Sequence, residues 1–219
     1  MTKRQQPQSL HKSQEGGYTI IESLVAMIVV SVLMIAIAPV MAFSVATRVQ
    51  AKRIEMATQA AKTYIEGLRS EALKPGTTGF PAQYTTDNKL ENTPAPTNIN
   101  ALYCIDKDSD QICTDGSNQD FVVQGYYFNN LPATTNPAKT GYSLIVRVYR
   151  ADSFASEVGA LTTQKLQADQ KRQVQQGTTT AGLGNLRAPL VEIRTEIGAT
   201  DRAGAYNNFC DRIANGCKQ

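Results

Sequence analysis

The sequence contains a single histidine, His11, which lies near the N-terminus. The rest of the chain therefore has no imidazole, which removes the commonest general base and the Ser–His and Cys–His pairs of nucleophilic catalysis. A phosphate-binding glycine loop is also missing, because Gly182-Leu183-Gly184 alone is a weak signal. A membrane-anchored enzyme is therefore the function class that the sequence favours least.

The second absence is charge, since no residue from Ser23 to Thr47 is charged. A helix rises about 1.5 Å per residue, so this run can cross a hydrocarbon core of about 30 Å. Lys3 and Arg4 precede the run, and the positive-inside rule then places the N-terminus in the cytoplasm. We expect a single-pass membrane protein with its C-terminal part outside the cytoplasm.

Glu22 stands immediately before the uncharged run. A carboxylate at this position is expensive in lipid, so a functional partner is expected for it. The structural alternative is a side chain that reaches back to the cytoplasmic interface.

The junction that contains this glutamate reads Gly16-Gly17-Tyr18-Thr19-Ile20-Ile21-Glu22. It resembles the prepilin signal of type IV pilins and type II secretion pseudopilins, with Tyr18 where phenylalanine is usual. The resemblance implies that residues 1–17 are a leader, that prepilin peptidase cuts after Gly17, and that the new amine of Tyr18 is methylated. It also implies that Glu22 pairs with the terminal amine of a neighbouring subunit. An uncleaved signal anchor is the alternative.

Residues 18–74 are predicted to form the pilin-type helix, with 18–47 in the membrane or the filament core. Pro39 occupies a position where the family often has proline, and the resemblance implies that it takes part in filament assembly. We expect a kink or a locally melted turn there. A tolerated membrane proline without a role is the alternative. The second half of the helix is amphipathic, and Lys74-Pro75-Gly76 is predicted to end it. Its apolar stripe consists of Ile54, Ala57, Ala61, Tyr64, Ile65, Leu68 and Ala72.

Residues 75–219 are predicted to form a head outside the cytoplasm. The segment 75–100 has the composition of a surface loop with room for short elements. The segments 120–129, 142–150 and 190–197 are predicted strands. Two of them alternate, with one face formed by Tyr142, Leu144, Val146 and Val148 in the first, and by Val191, Ile193, Thr195 and Ile197 in the second, which places Glu192, Arg194 and Glu196 on the other face. The segment 161–176 fits either a short polar helix or an extended excursion. The fold class that follows is α+β, with a long helix, half of it transmembrane, packed on the apolar face of a small antiparallel sheet. This architecture is pilin-like.

Four cysteines form two local couples, Cys104 with Cys113 and Cys210 with Cys217. In an oxidising space outside the membrane they would form disulfides. Three connectivities are possible, and we expect the local one, which would clip the C-terminal tail into a small loop. A four-thiolate zinc site is the alternative, although the spacings are wide for zinc ligands.

The first cysteine couple flanks Asp106-Lys107-Asp108-Ser109-Asp110. Alternating carboxylates on a tight loop can converge on a hard cation, so Asp106, Asp108 and Asp110 are candidate calcium ligands. The run resembles the first half of an EF-hand loop, but Gln111 and Ser117 replace the glycine and the final glutamate. The alternative is a solvated acidic turn.

Together these features predict a minor pilin or pseudopilin, a structural subunit of a type IV pilus-like or type II secretion-like filament. Its expected partners are prepilin peptidase, other pilin-class subunits, an inner-membrane assembly platform and, before assembly, the membrane. Before assembly it would span the inner membrane once, and afterwards it would lie in a periplasmic or extracellular filament. Segments 23–27 and 46–53 are similar to cyanobacterial pseudopilins linked to polysaccharide secretion in motile filaments. The alternative function is a filament-tip module that binds DNA or a surface, although the scattered basic residues do not favour nucleic acid.

Overall fold

The computed structural model describes residues 19–86, 89–129, 136–163, 185–200, 205–212 and 217. It divides into two compact units, residues 1–44 and residues 45–219. The cleavage site Gly17–Tyr18 and most of the segment 161–176 lie outside the described residues, so the predictions for them stay predictions.

Helix α1 covers Ile20–Arg69, a run of 50 residues, and confirms the predicted long N-terminal helix. It begins one residue after Thr19, whose carbonyl accepts the amide of Glu22 at 3.0 Å. Pro39 lies inside the helix, which is assigned as helical on both sides of it. A melted turn is therefore not present at Pro39, because a proline removes a single backbone hydrogen bond and the neighbouring turns keep theirs; the kink, which was the other expectation, stays a prediction.

The C-terminal end of α1 differs from the prediction. The helix ends at Arg69, and Glu71 adopts a left-handed φ of 56°, ahead of the predicted stop at Lys74-Pro75-Gly76. Ala72 is consequently exposed, and Leu73 packs against the core in its place. The amide of Leu73 donates to the carbonyl of Gly67 at 3.0 Å, which turns the chain back over the helix end.

The part of the head that the structure describes contains a five-stranded sheet and two short α-helices. Its strands are β1 (Ala82–Gln83), β2 (Tyr103–Ile105), β3 (Phe121–Phe128), β4 (Tyr142–Arg150) and β5 (Val191–Ile197); helix α2 covers Pro137–Thr140 and helix α3 covers Ala205–Arg212. The order is β1-β3-β4-β5, and β2 also pairs with β3. The three predicted strands are confirmed as β3, β4 and β5.

The sheet is mixed, which corrects the prediction of an antiparallel one. Pairs β3–β4, β4–β5 and β2–β3 are antiparallel, but β1 runs parallel to β3 through Ala82 and Gln83. A strand of two residues has no period-2 pattern to recognise, and β1 lies in the segment that was predicted to be a loop.

The core lies between one face of the sheet and the head portion of α1. The helix contributes Ala57, Ala60, Ala61, Tyr64, Ile65 and Leu68, and the sheet contributes Phe121, Val123, Tyr127, Tyr142, Leu144, Val146, Val148, Val191 and Ile197. The predicted alternation of β4 and β5 is confirmed, since their inward positions are those assigned from the pattern. Buried Tyr64 donates from its hydroxyl to the carbonyl of Gly79 at 2.8 Å, and burial raises its pKa.

The opposite face of the sheet, which the sequence predicted to be polar, is covered as well. Arg147 is 1% exposed there, and its Nε donates to Glu192 Oε2 at 2.9 Å. Its Nη1 donates to the carbonyl of Thr93 at 3.0 Å. Gln124 donates to the carbonyl of Pro94 at 3.1 Å. The segment 89–97 therefore lies across this face and is held to it by buried polar side chains.

Candidate functional site

The first part of α1 presents an apolar, exposed surface. Every residue from Thr19 to Val45 is exposed. Among the described residues, α1 is the one helix long and apolar enough to cross a membrane. A run of this length and composition is compatible with a single-pass anchor. Exposed aliphatic side chains in such number need either lipid or other apolar helices around them.

Glu22 lies in the first turn of α1 and is the acidic residue of that turn. Its side chain is exposed, and the positive end of the helix dipole favours a carboxylate at this position. Ser23 beside it donates its hydroxyl to the carbonyl of Ile20 at 2.8 Å. Glu22 is thus the single charge on the exposed apolar surface of α1, and it stands at one end of that surface.

Both cysteine couples are disulfides in the structure. Cys104 of β2 is joined to Cys113, and Cys210 of α3 is joined to Cys217. The local pairing is therefore the one present, and the four cysteines do not form a four-thiolate zinc site. The first disulfide closes the beginning of the connection between β2 and β3, and the second closes the predicted loop in the C-terminal tail.

The connection between β2 and β3, residues 106–120, folds around its own carboxylates. Asp106 accepts the amides of Ser109 at 2.6 Å and of Gln111 at 2.7 Å, and these backbone hydrogen bonds, the one from Gln111 first, lower its pKa. Asp110 accepts the amide of Ile112 at 3.0 Å. Desolvation raises the pKa of Asp108, and the Asp110 and Asp120 carboxylates add to the effect.

The carboxylates that converge are not the three that the sequence suggested. One oxygen each from Asp106, Asp108 and Asp120 lies within 4.8 Å of the other two. Asp110 is not part of this group. Asp120 was missed because it precedes β3 and was counted as a strand residue. The sequence signal that could have indicated it is a charged residue immediately before an apolar strand, which is weak by itself.

Asp120 is the buried member of this carboxylate group, with 0% of its surface exposed. Its Oδ1 accepts the backbone amide of Lys107 at 2.9 Å. Its Oδ2 is buried and has no hydrogen-bond partner among the described residues. Ser117 links the two ends of the connection, because its hydroxyl donates to Asp108 Oδ2 at 3.2 Å and accepts the amide of Asp120 at 3.2 Å.

The arginines of the sheet are neutralised by carboxylates. Arg147 pairs with Glu192, Arg150 pairs with Asp152, and Arg194 bridges Glu91 at 3.2 Å and Glu192 at 3.5 Å. Paired guanidinium groups contribute little to a positive field at the surface. These three arginines therefore do not provide the basic patch that a DNA-binding head would need.

A cavity of about 470 Å³ lies where the segment 92–95 meets the segment 161–163. Its lining consists of amide, hydroxyl and apolar side chains, namely Asn92, Thr93, Pro94, Ala95, Leu161, Thr162 and Thr163. None of these side chains titrates near neutral pH, so the cavity offers no general acid or base.

Comparison of the chain with protein-family models, with curated proteins and with solved structures returns no match. The long apolar helix and the small sheet are compatible with a pilin-like fold. Any functional assignment therefore depends on the N-terminal motif and on the exposed surface of α1.

Proposed function

We propose that this chain is a minor pilin or pseudopilin, a structural subunit that α1 anchors first in the inner membrane and then in a filament. The observation that carries the proposal is the difference in burial between the two parts of α1. Its residues up to Val45 expose their apolar side chains, whereas its residues from Ala57 to Leu68 form part of the core of the head. One helix thus supplies both an apolar surface for assembly and part of the hydrophobic core of the head.

The exposed apolar surface fits lipid before assembly and similar helices afterwards. Large side chains such as Ile20 at 86% exposure and Ile35 at 75% exposure would be strongly unfavourable in water. In a bilayer they are at no disadvantage, and in a bundle of identical helices they pack against one another. The same surface is therefore suited both to a subunit in the membrane and to a subunit in a filament.

Glu22 supplies the register in this proposal. A carboxylate surrounded by apolar helices needs a partner, and the terminal ammonium of Tyr18 on a neighbouring subunit is the partner that the motif implies. Since Glu22 is the single charge on the exposed surface, only one axial position of a neighbouring helix would satisfy it. Apolar packing then contributes affinity, and the ion pair selects the position.

The direct test compares two glutamates of the same helix in the native host. Glu22→Gln keeps the size of the side chain and removes its charge, and Glu55→Gln makes the same change at an exposed position in the head portion of α1. Crosslinking in cells followed by purification measures how much of the chain is joined to other filament subunits.

Glu22→Gln should lower the crosslinked fraction by at least about ten-fold, because breaking a buried ion pair costs about 3–5 kcal/mol. Glu55→Gln should leave it unchanged, and both variants should be inserted and processed. Equal incorporation of both variants would contradict the assembly role of Glu22.

A role in polysaccharide secretion and gliding motility is the finer form of the proposal. It is supported by the similarity of segments 23–27 and 46–53 to the cyanobacterial pseudopilins. Deletion of the gene should then reduce secreted polymer and motility together, and a plasmid copy should restore both. Normal polymer secretion in the deletion strain would contradict this form and would leave the filament role to the Glu22 experiment.

A further inference from the structure

The connection between β2 and β3 brings together three carboxylates from its two ends. Asp106 and Asp108 come from the turn that follows β2, and Asp120 comes from the residue before β3. One oxygen of each lies within 4.8 Å of the other two. Calcium–oxygen bonds are about 2.3–2.6 Å long, so two ligands on opposite sides of one ion lie about 5 Å apart. The three oxygens are thus close enough to bind a single ion.

Asp120 gives an independent reason to expect an ion at this place. Its carboxylate is fully buried, and Oδ2 has no hydrogen-bond partner within the described part of the chain. A buried ionised oxygen without a partner is strongly unfavourable, and native proteins rarely retain one. Since one Asp120 oxygen belongs to the group of three, a cation at their centre would satisfy this carboxylate.

No ion pair among the described residues balances the charge of the group. Asp108 interacts with the carboxylates of Asp110 and Asp120. None of the ion pairs in the described residues involves Asp106, Asp108 or Asp120. Lys107 contributes its backbone amide to Asp120, and the residue itself is exposed. Like charges held at this separation repel one another unless a cation lies between them.

The donor set selects the kind of cation. All three candidate ligands are carboxylate oxygens, the Ser117 hydroxyl is in contact with Asp108, and the nearby cysteines are joined in a disulfide. Hard oxygen ligands suit calcium or magnesium and do not suit metals that prefer nitrogen or sulfur. Calcium tolerates an irregular ligand set completed by water, whereas magnesium demands a near-ideal octahedron.

We infer that Asp106, Asp108 and Asp120 bind one calcium ion, which ties the exposed turn after β2 to the buried beginning of β3. The inference does not depend on the proposed filament role, because it concerns a site within the head. Asp110, which the alternation in sequence suggested as a ligand, is outside the site.

The test uses the full chain in detergent, freed of metal with EGTA. Titration calorimetry with calcium chloride measures the stoichiometry and Kd, and far-UV circular dichroism measures Tm with and without calcium. Asp108→Asn removes an exposed ligand, so the fold should tolerate the change. Asp110→Asn is the matched control, because it removes the same charge from the same turn.

We expect one calcium ion per chain and a rise in Tm with calcium concentration. Asp108→Asn should weaken calcium binding by at least about ten-fold, and Asp110→Asn should change it by less than about two-fold. Absence of binding at millimolar calcium, or equal effects of the two variants, would overturn the site. Equal affinity for magnesium chloride would overturn the assignment to calcium.

Discussion

At the scale of single residues, Gly125 of β3 sets how closely α1 can approach the sheet. It faces the helix, and a Cβ built there would overlap with the hydroxyl of Tyr64 and would lie 3.0 Å from the Cβ of Pro81. The tyrosine is fully buried and hydrogen-bonded to Gly79, so it has no room to move away. The absence of a side chain at Gly125 is therefore what admits the Tyr64 ring to the core.

Gly125→Ala should destabilise the head by about 1–3 kcal/mol, the usual effect of overpacking a dense core. Gly198→Ala is the control, because a Cβ at Gly198 would meet nothing within 4 Å. Urea unfolding followed by far-UV circular dichroism measures both changes. Equal stability of the two variants would show that Tyr64 can be displaced without loss.

At the scale of elements, the segment 89–97 behaves as a cover for the outer face of the sheet. Arg147 reaches it from β4 through the carbonyls of Thr93 and, at 3.4 Å, Glu91, while its other side is paired with Glu192. The side chains of Arg147 and Glu192 are 1% and 2% exposed. A buried pair of this kind leaves an uncompensated charge when one partner is removed.

Arg147→Met should lower the free energy of unfolding by about 3–5 kcal/mol, because Glu192 and the segment carbonyls lose their buried donor. Arg194→Met is the matched control, since Arg194 contacts the same Glu192 but is 38% exposed. Its effect should be below about 1 kcal/mol. Thermal unfolding of both variants measures the two effects. Equal effects would show that the Arg147–Glu192 pair contributes no more to stability than an ordinary surface ion pair.

The elements that the sequence predicted are those with a strong period. The head portion of helix α1 and the core-facing positions of strands β4 and β5 follow their 3.6- and 2-residue patterns, because these residues pack against one another. The cover segment 89–97 was missed, because it is held by backbone carbonyls that accept hydrogen bonds from Arg147. Every residue has a backbone carbonyl, so the sequence does not indicate which carbonyls accept such bonds. Asp120 was missed for a related reason, because the approach of the turn after β2 to the beginning of β3 is a tertiary contact.

At the scale of the whole chain, three features occur together: the prepilin-like junction, the exposed apolar surface of α1 and the disulfide-closed head. Each has its own physical reason, and the proposed function requires all three, because such a subunit would be inserted, processed and then assembled through α1. The disulfides agree with a head that folds outside the cytoplasm, where thiols are oxidised.

Identification of the mature N-terminus is the most direct test of the proposed pilin-class function. The full chain is expressed in membranes with a prepilin peptidase, purified in detergent, and measured by intact mass and N-terminal peptide mass spectrometry. We expect a mature chain that begins at Tyr18 with a methylated amine. The precursor should stay uncleaved when Gly17 is replaced by leucine, and it should be processed when Gly16 is replaced by alanine. A mature chain that begins beyond residue 40, or one that keeps residues 1–17, would contradict the proposed function.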